Sequence, residues 1–240
     1  MGELLTVTEV EHYTDRLFRI RTERPLTYRF TAGEFTMIGL PDSDVSRAYS
    51  FTSGPGDDHL EFYSIKVPNG PLTSRLQHVN PGDVLEVGSK PTGTLTLANL
   101  ELGGNLWMFA TGTGVAPFIS MLRDMATYNA FDHIYLSWTV RETQDLLAYN
   151  DFLTEMSKEM NLTYFPTVTR DSSYKNHGRI QKFIDSGAWF SPVHPAADKC
   201  MICGSIDFNN DIATMLTTTG WSEGTRKTSG SFVQERAFVG

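Results

Sequence analysis

Two rhythms of apolar and polar positions divide the chain. Through about the first hundred residues the apolar side chains come in short runs: Leu5–Glu11, Leu17–Arg21, Phe35–Leu40, Leu60–Val67 and Asp83–Gly88. Turn-forming clusters separate them, among them Arg24-Pro25, Pro41-Asp42, Gly54-Pro55-Gly56-Asp57, Pro68-Asn69-Gly70-Pro71 and Pro81-Gly82. Short strands at spacings of roughly ten residues predict an antiparallel sandwich or barrel. One helix is expected to interrupt it, Leu72–His78, which follows Pro71 and meets no breaker before Asn80-Pro81.

From about residue 104 the rhythm changes. Apolar Leu106–Ala110 leads into a glycine turn and a helical stretch, Pro117–Ala126. Apolar His133–Trp138, amphipathic Asp145–Met160, apolar Leu162–Val168, a short helix over Arg179–Ser186, apolar Cys200–Cys203, helical Phe208–Thr217 and a final strand Phe232–Glu235 follow. Strands alternating with helices predict βαβ units and a parallel sheet. The expected organisation is a β domain over 1–100 and an α/β domain over 101–240, with the boundary near Ala98–Asn105. No internal repeat or low-complexity segment interrupts either half.

At 240 residues, 40% hydrophobic and 20% charged, the chain suits two ordinary globular domains. No apolar run reaches the ~18 residues of a membrane span, and the N-terminus lacks the pattern of a secretory signal. The net charge of −8 argues against nucleic acid. A cytoplasmic monomer is the expectation.

Three stretches carry candidate chemistry. Arg47-Ala48-Tyr49-Ser50-Phe51-Thr52-Ser53 combines a cation, aromatics and hydroxyls. As a strand it puts Arg47, Tyr49, Phe51 and Ser53 on one face and Ala48, Ser50 and Thr52 on the other. That suits a flat anionic ligand, although a half-buried strand with a surface arginine accounts for the residues equally well. Thr111-Gly112-Thr113-Gly114-Val115-Ala116-Pro117 joins a strand to a helix, as a dinucleotide-binding turn or a purely structural one does. Gly70-Pro71-Leu72-Thr73-Ser74 follows a strand, and its hydroxyls and N–H groups suit a pyrophosphate or simple capping.

Arg141, Arg170 and Arg179 fall at or just past strand ends, where guanidinium groups favour the 2′-phosphate of NADP over the ribose hydroxyl of NAD. Cys200 and Cys203 are unsuited to a metal. Positions i and i+3 of a strand face apart, and no second pair completes the ligands. Cys203, at the carboxyl end of a parallel strand, is the more useful thiol. The scattered histidines form no metal-binding spacing, and Gly204-Ser205 lacks the glycine pattern of a nucleophile elbow.

Taken in order, Arg47-x-Tyr49-Ser50-x-x-Ser53, Gly70-Pro71-Leu72-Thr73-Ser74, Gly112-Thr113-Gly114-x-Ala116-Pro117, Cys203-Gly204-Ser205 and Glu235-x-Ala237-Phe238-Val239 resemble the ferredoxin–NADP reductase family, and most closely its bacterial ferredoxin/flavodoxin–NADP reductases. The resemblance covers nearly the whole chain. It implies a six-stranded antiparallel FAD barrel and a five-stranded parallel NADP domain, with FAD and NADP(H) as cofactors and ferredoxin or flavodoxin as partner.

By the same resemblance Arg47, Ala48, Tyr49 and Ser50 hold FAD, with Ser50 near flavin N5. Ser64, Ile65, Lys66 and Val67 line the flavin edge, and Leu72, Thr73 and Ser74 hold the pyrophosphate. Thr113 and Cys203 flank the nicotinamide, and Ala237 and Phe238 belong to the FAD site. Gly112, Thr113, Gly114, Arg141, Thr169, Arg170, Arg179, Gly204, Ser205 and Asp211 are expected at NADP. Ser50, Cys203 and Glu235 are the expected catalytic residues. The resemblance is imperfect at Ala237, where plant-type relatives have an aromatic, and at Phe208, where many relatives have Met.

Exposed Arg75, Lys66 and Lys90 are candidate docking cations. An NADH-using oxygenase reductase component and a flavin-binding sensor without turnover are the alternatives. For the strand at Arg47–Ser53 to bring both of its faces to one flavin, a break between Tyr49 and Ser50 is expected.

Overall fold

The structure, a computed structural model, describes residues 2–190 and 195–237. Two compact units emerge. One holds the residues up to Gly93 together with Ala116–Asp124, and the other holds Thr94–Val115 and Met125–Ala237.

The first unit is built on six antiparallel strands: β1 Gly2–His12, β2 Leu17–Glu23, β3 Phe35–Gly39, β4 Ser46–Ser50, β5 His59–Ile65 and β6 Val84–Gly88, in the order β4-β3-β6-β1-β2-β5. The period-2 pattern is visible in β6, where Leu85 and Val87 are buried while Val84 and Glu86 are exposed. The inward side chains gather Leu5, Phe18, Ile20, Ile38, Phe51, Phe62 and Val87 into one core. Helix α1, Thr73–Leu76, is shorter than the expected Leu72–His78, and its Leu76 joins that core.

Beyond Ser50 the chain takes on a second partner, while the Phe51 N–H still donates to the Glu34 carbonyl beside β3 at 3.2 Å. β4 pairs regularly with β3 through Tyr49↔Thr36 and Ser50↔Phe35. Phe51 then bridges Phe62 on β5, and the Thr52 N–H donates to the Glu61 carbonyl at 2.8 Å. The outer strands of the sheet therefore meet, and the barrel is nearly closed. The expected break between Tyr49 and Ser50 falls one residue later. A side chain as large as Phe51 is what fixes it there, stacking on Phe30 at 4.1 Å and packing on Phe62 at 5.3 Å.

Glu61 lies at this seam, fully buried, with its carboxylate answered from several sides. It accepts from Arg21 Nε at 2.7 Å and from Thr52 Oγ1 at 2.8 Å, and pairs with Arg19 and Arg123 at 3.3 and 3.2 Å. Arg123 follows helix α2, Ala116–Leu122, whose Ser120 hydroxyl donates to the Ser53 carbonyl at 2.7 Å. The expected helix Pro117–Ala126 is in fact two, since α3 restarts at Met125–Ala130. Asp124, a residue type that favours helix starts, was the available signal.

The second unit is a parallel sheet in the order β11-β10-β7-β8-β9, with β7 Asn105–Thr111, β8 His133–Val140, β9 Leu162–Val168, β10 Asp198–Gly204 and β11 Phe232–Arg236. Each expected strand is present and one or two residues longer at most ends. Helices α4 Asn150–Glu159, α5 Ile180–Asp185 and α6 Ile206–Thr218 follow their strands. The expected helix Asp145–Met160 divides into a 3₁₀ turn over Thr143–Leu146 and α4. Reciprocal bonds between Glu142 and Asp145 cap that turn separately. Cys200 and Ile202 of β10 face a core shared with Phe109, Phe208, Ile212, Leu216 and Phe232. No described helix is long and apolar enough to cross a membrane.

Burial pushes the Glu61 pKa up, but Arg123, Arg21, Arg19 and the Thr52 hydroxyl together bring it below the usual carboxylate value. The stability it contributes is thus present above the unfolded carboxylate pKa and lost as pH falls through the lower folded value. Glu61→Ala is expected to lower the unfolding free energy by about 3 kcal/mol, because it strands buried cations. Urea denaturation at neutral pH measures it, and a loss below about 1 kcal/mol contradicts the role given to the pairing.

Candidate functional site

In the barrel unit the candidates sit on β4, on the end of β5 and on the turn that follows. Arg47 is half-buried, and its guanidinium donates only to the neighbouring Ser46 carbonyl, at 2.8 Å, with no carboxylate partner among the described residues. Ala48 pairs with Met37 on β3. Tyr49 packs its ring against the barrel core, and its hydroxyl oxygen accepts from Ser64 Oγ at 3.4 Å. Burial raises the Tyr49 pKa, so the phenol stays neutral. The Ser50 hydroxyl has no hydrogen bond among the described residues and is half-buried, free to meet a ligand.

At the end of β5 Ile65 is half-buried, and Lys66 and Val67, also half-buried, lead into a tight turn. Asn69 adopts φ 60°, and the Gly70 N–H donates to the Val67 carbonyl at 3.0 Å. A Cβ on Gly70 would lie 2.4 Å from the Thr73 hydroxyl, so glycine lets the turn fold onto α1. The Thr73 hydroxyl itself lies 3.3 and 3.4 Å from the N–H and carbonyl of Val67. The N–H groups of the buried Leu72 and Thr73 have no acceptor among the described residues, and Ser74 beside them is half-buried. Arg75, an expected docking cation, is exposed and paired with both carboxylate oxygens of Asp42 at 2.6–2.7 Å.

In the second unit the candidates collect at the carboxyl ends of the parallel strands, where ligands of such sheets bind. Gly112 has φ +53°, and a Cβ there would meet nothing within 4 Å, so its outer side is open. Its carbonyl is pinned by the Trp138 indole N–H at 2.8 Å. Gly114 is the opposite case. A Cβ there would lie 2.3 Å from the Cys203 carbonyl oxygen, and bare backbone lets the turn after β7 rest on β10. Gly204 likewise leaves room for Thr111, whose hydroxyl accepts the Ser205 N–H at 3.2 Å. Ser205 caps α6 through its oxygen, 3.4 Å from the Phe208 N–H. The Thr113 hydroxyl has no partner among the described residues.

Cys203 and Glu235 are register neighbours on β10 and β11. Cys203 is 3% exposed, and burial, with the nearby Glu235 charge, pushes its pKa well up, so it is a neutral thiol. Burial also raises the Glu235 pKa against the opposing bonds from Thr94. The Ala237 N–H ties the end of β11 to the Gly204 carbonyl at 2.9 Å. Phe238 lies outside the described residues.

The three arginines converge in register. Beyond β8 and β9 the pairing continues, with the Thr169 N–H donating to the Val140 carbonyl at 3.0 Å and the Arg170 N–H to Arg141 at 2.8 Å. The Thr169 hydroxyl also donates to that Val140 carbonyl. On the other side His177 bridges Val168 and the Gly178 N–H donates to its carbonyl at 2.8 Å, which brings Arg179 to the same end of β9. Arg141 and Arg179 are exposed with no ion pair among the described residues, and Arg170 lies 3.9 Å from Glu142. Asp211 lies on α6, where it accepts from Gln181 of α5 at 3.2 Å.

The model of the oxidoreductase NAD-binding domain matches residues 108–214. Ferredoxin–NADP reductase A of Sorangium cellulosum is 43% identical over 98% of this chain and 90% of its own. Flavodoxin/ferredoxin–NADP reductase of Rhodobacter capsulatus is also 43% identical, over 98% and 93%. The chain belongs to the ferredoxin–NADP reductase family. A crystal structure of a ferredoxin–NADP+ reductase from Neisseria gonorrhoeae with bound FAD and NADP superimposes with a TM-score of 0.90 at 27% identity, covering 98% of both chains.

Sequence reasoning missed the residues of this reductase-family chain that hold the candidates: Thr94 and Asn209 on Glu235, Trp138 on Gly112 and Thr111 on Ser205. All four bonds span 26 or more residues, so no local pattern announces them. The close approach at Gly114 yields a direct test. Gly114→Ala forces two backbones apart and is expected to cost about 2–3 kcal/mol. Thermal or urea unfolding reads it, and a wild-type midpoint contradicts the approach.

Proposed function

We propose that this protein is an FAD-dependent oxidoreductase that exchanges electrons between NADP(H) and ferredoxin or flavodoxin. The observation that carries the reading is 43% identity over 98% of the chain to a protein named as such a reductase. The donor set supports both cofactors. A guanidinium without a carboxylate partner at Arg47, the N–H groups of Leu72 and Thr73 that lack an acceptor among the described residues, and the aromatic ring of Tyr49 suit the pyrophosphate and ring of FAD. The bare Gly112 and the arginines past β8 and β9 suit a dinucleotide with a third phosphate. In this reading residues 1–100 serve FAD and residues 101–240 serve NADP.

FAD, when bound, supplies the chemistry, taking a hydride at N5 and passing electrons on singly. The chain's residues bind and orient. Arg47, Leu72, Thr73 and Ser74 hold phosphate, Tyr49 and Ser64 hold the ring, and the Ser50 hydroxyl donates toward N5. The neutral Cys203 side chain and Thr113 support the nicotinamide, and Glu235 holds a proton at its carboxylate. Arg141, Arg170 and Arg179 hold the 2′-phosphate. The reading extends to a cytoplasmic monomer that works without nucleic acid, and the net charge of −8 supports the last point.

The purified yellow protein is expected to bleach when NADPH is added without oxygen, to prefer NADPH over NADH in kcat/KM, and to reduce a ferredoxin or flavodoxin. Colour that persists with NADPH points to a sensor, and a preference for NADH refutes the arginine assignment. Ser50→Ala is expected to slow flavin reduction about tenfold to a hundredfold while FAD content holds. Unchanged stopped-flow rates remove Ser50 from that role.

A further inference from the structure

Glu235 sits beside Cys203, and stretches far apart in the chain hold it there. Thr94, the first residue of the second unit, donates to Glu235 Oε1 through its N–H and, at 3.0 Å, through its hydroxyl. The same hydroxyl lies 3.1 Å from the Gln234 carbonyl and shares its single proton between carboxylate and backbone. Thr94 is itself held. The Asn99 side-chain amide donates to the Thr94 carbonyl at 3.1 Å and to Thr96 Oγ1 at 2.9 Å, and the Asn99 carbonyl accepts the Gly230 N–H at 3.2 Å. From α6, Asn209 donates to the Glu235 carbonyl at 2.7 Å. The backbone and the carboxylate of Glu235 are thus anchored separately.

We infer that Thr94 is the positioning residue for Glu235: its two donors fix the direction of the carboxylate, and Asn99 keeps Thr94 in place. The inference rests on the reading of Glu235 as the group that holds a proton beside the bound cofactors. Burial raises the Glu235 pKa, and the Thr94 bonds bring it part of the way back, with a smaller contribution from the Leu95 N–H. The charged and titratable groups around it are Cys203 on β10, Arg226 in the loop before β11, and Arg236, next in the chain. Arg226 favours the ionised form, and the neutral Cys203 does not compensate the charge. Loss of the Thr94 hydroxyl therefore moves proton uptake by Glu235 to higher pH.

The test is a carbon-13 NMR titration of glutamate carboxyls in the oxidised holoprotein, with the Glu235 signal assigned by its absence in Glu235→Gln. In Thr94→Val the midpoint is expected to rise by about one pH unit, as befits one hydrogen bond to a charged group. The pH profile of single-turnover flavin reduction by NADPH shifts with it. Thr94→Ser keeps both at wild-type values. Asn99→Ala, which leaves the Thr94 hydroxyl in the chain but removes its support, shifts the midpoint the same way and serves if Thr94→Val does not fold. An unchanged midpoint in the folded variants, or an equal shift in Thr94→Ser, overturns the inference. The NMR midpoint is read without turnover, so it separates this inference from the proposed electron transfer, which anaerobic bleaching tests.

Discussion

An antiparallel sheet has two edges, and each exposes unpaired backbone groups unless something covers or joins them. In this protein the edges join at Glu61. Its carbonyl takes the Thr52 N–H, its own N–H donates to Ser53 Oγ at 3.1 Å, and its carboxylate collects Arg19, Arg21, Arg123 and the Thr52 hydroxyl. A lone buried carboxylate is heavily penalised, whereas one surrounded by donors becomes a point at which several segments must agree. The stretch Arg47–Ser53 consequently has two parts. Its last three residues, all fully buried, close the barrel, and its first four stay half-buried and available. The available part is held rigid because the committed part is fixed.

The parallel sheet solves a different problem with backbone alone. Its strands deliver loops to one end, and the loops can crowd together there only where side chains are missing. Gly114 and Gly204 provide the close approach, while Gly112 leaves a bare surface facing outward and is pinned from behind by Trp138. The arginines add charge at the other edge through an extension of the β8–β9 ladder, so their placement follows from backbone pairing rather than from side-chain reach.

Much of this was legible in the chain. The strands of both sheets announced themselves through alternation or apolar runs, since burial on one face or two imposes those patterns directly. The order of glycine turns and hydroxyl-rich segments located the candidate residues. What the pattern could not give were contacts closed by the fold. Leu72–His78 is shorter in the fold because nothing local marks the end of so short a helix, whereas the division of Pro117–Ala126 is marked locally by Asp124 alone. The contact of the Thr73 hydroxyl with Val67 depends on a turn through Asn69 at positive φ, which the residue type at Thr73 does not announce. The break after β4 was misplaced by one residue, since its position depends on where Phe51 finds its ring partners on other strands.

Cys203 carries a further consequence. Sulfur oxidation by peroxide begins from the thiolate and needs access. A flavoprotein that leaks electrons to oxygen generates peroxide at its own centre. The sulfur at the end of β10 is both shielded and kept protonated by its surroundings. In the proposed reading, in which Cys203 lies beside the nicotinamide, that inertness keeps a soft, polarisable atom from being oxidised first.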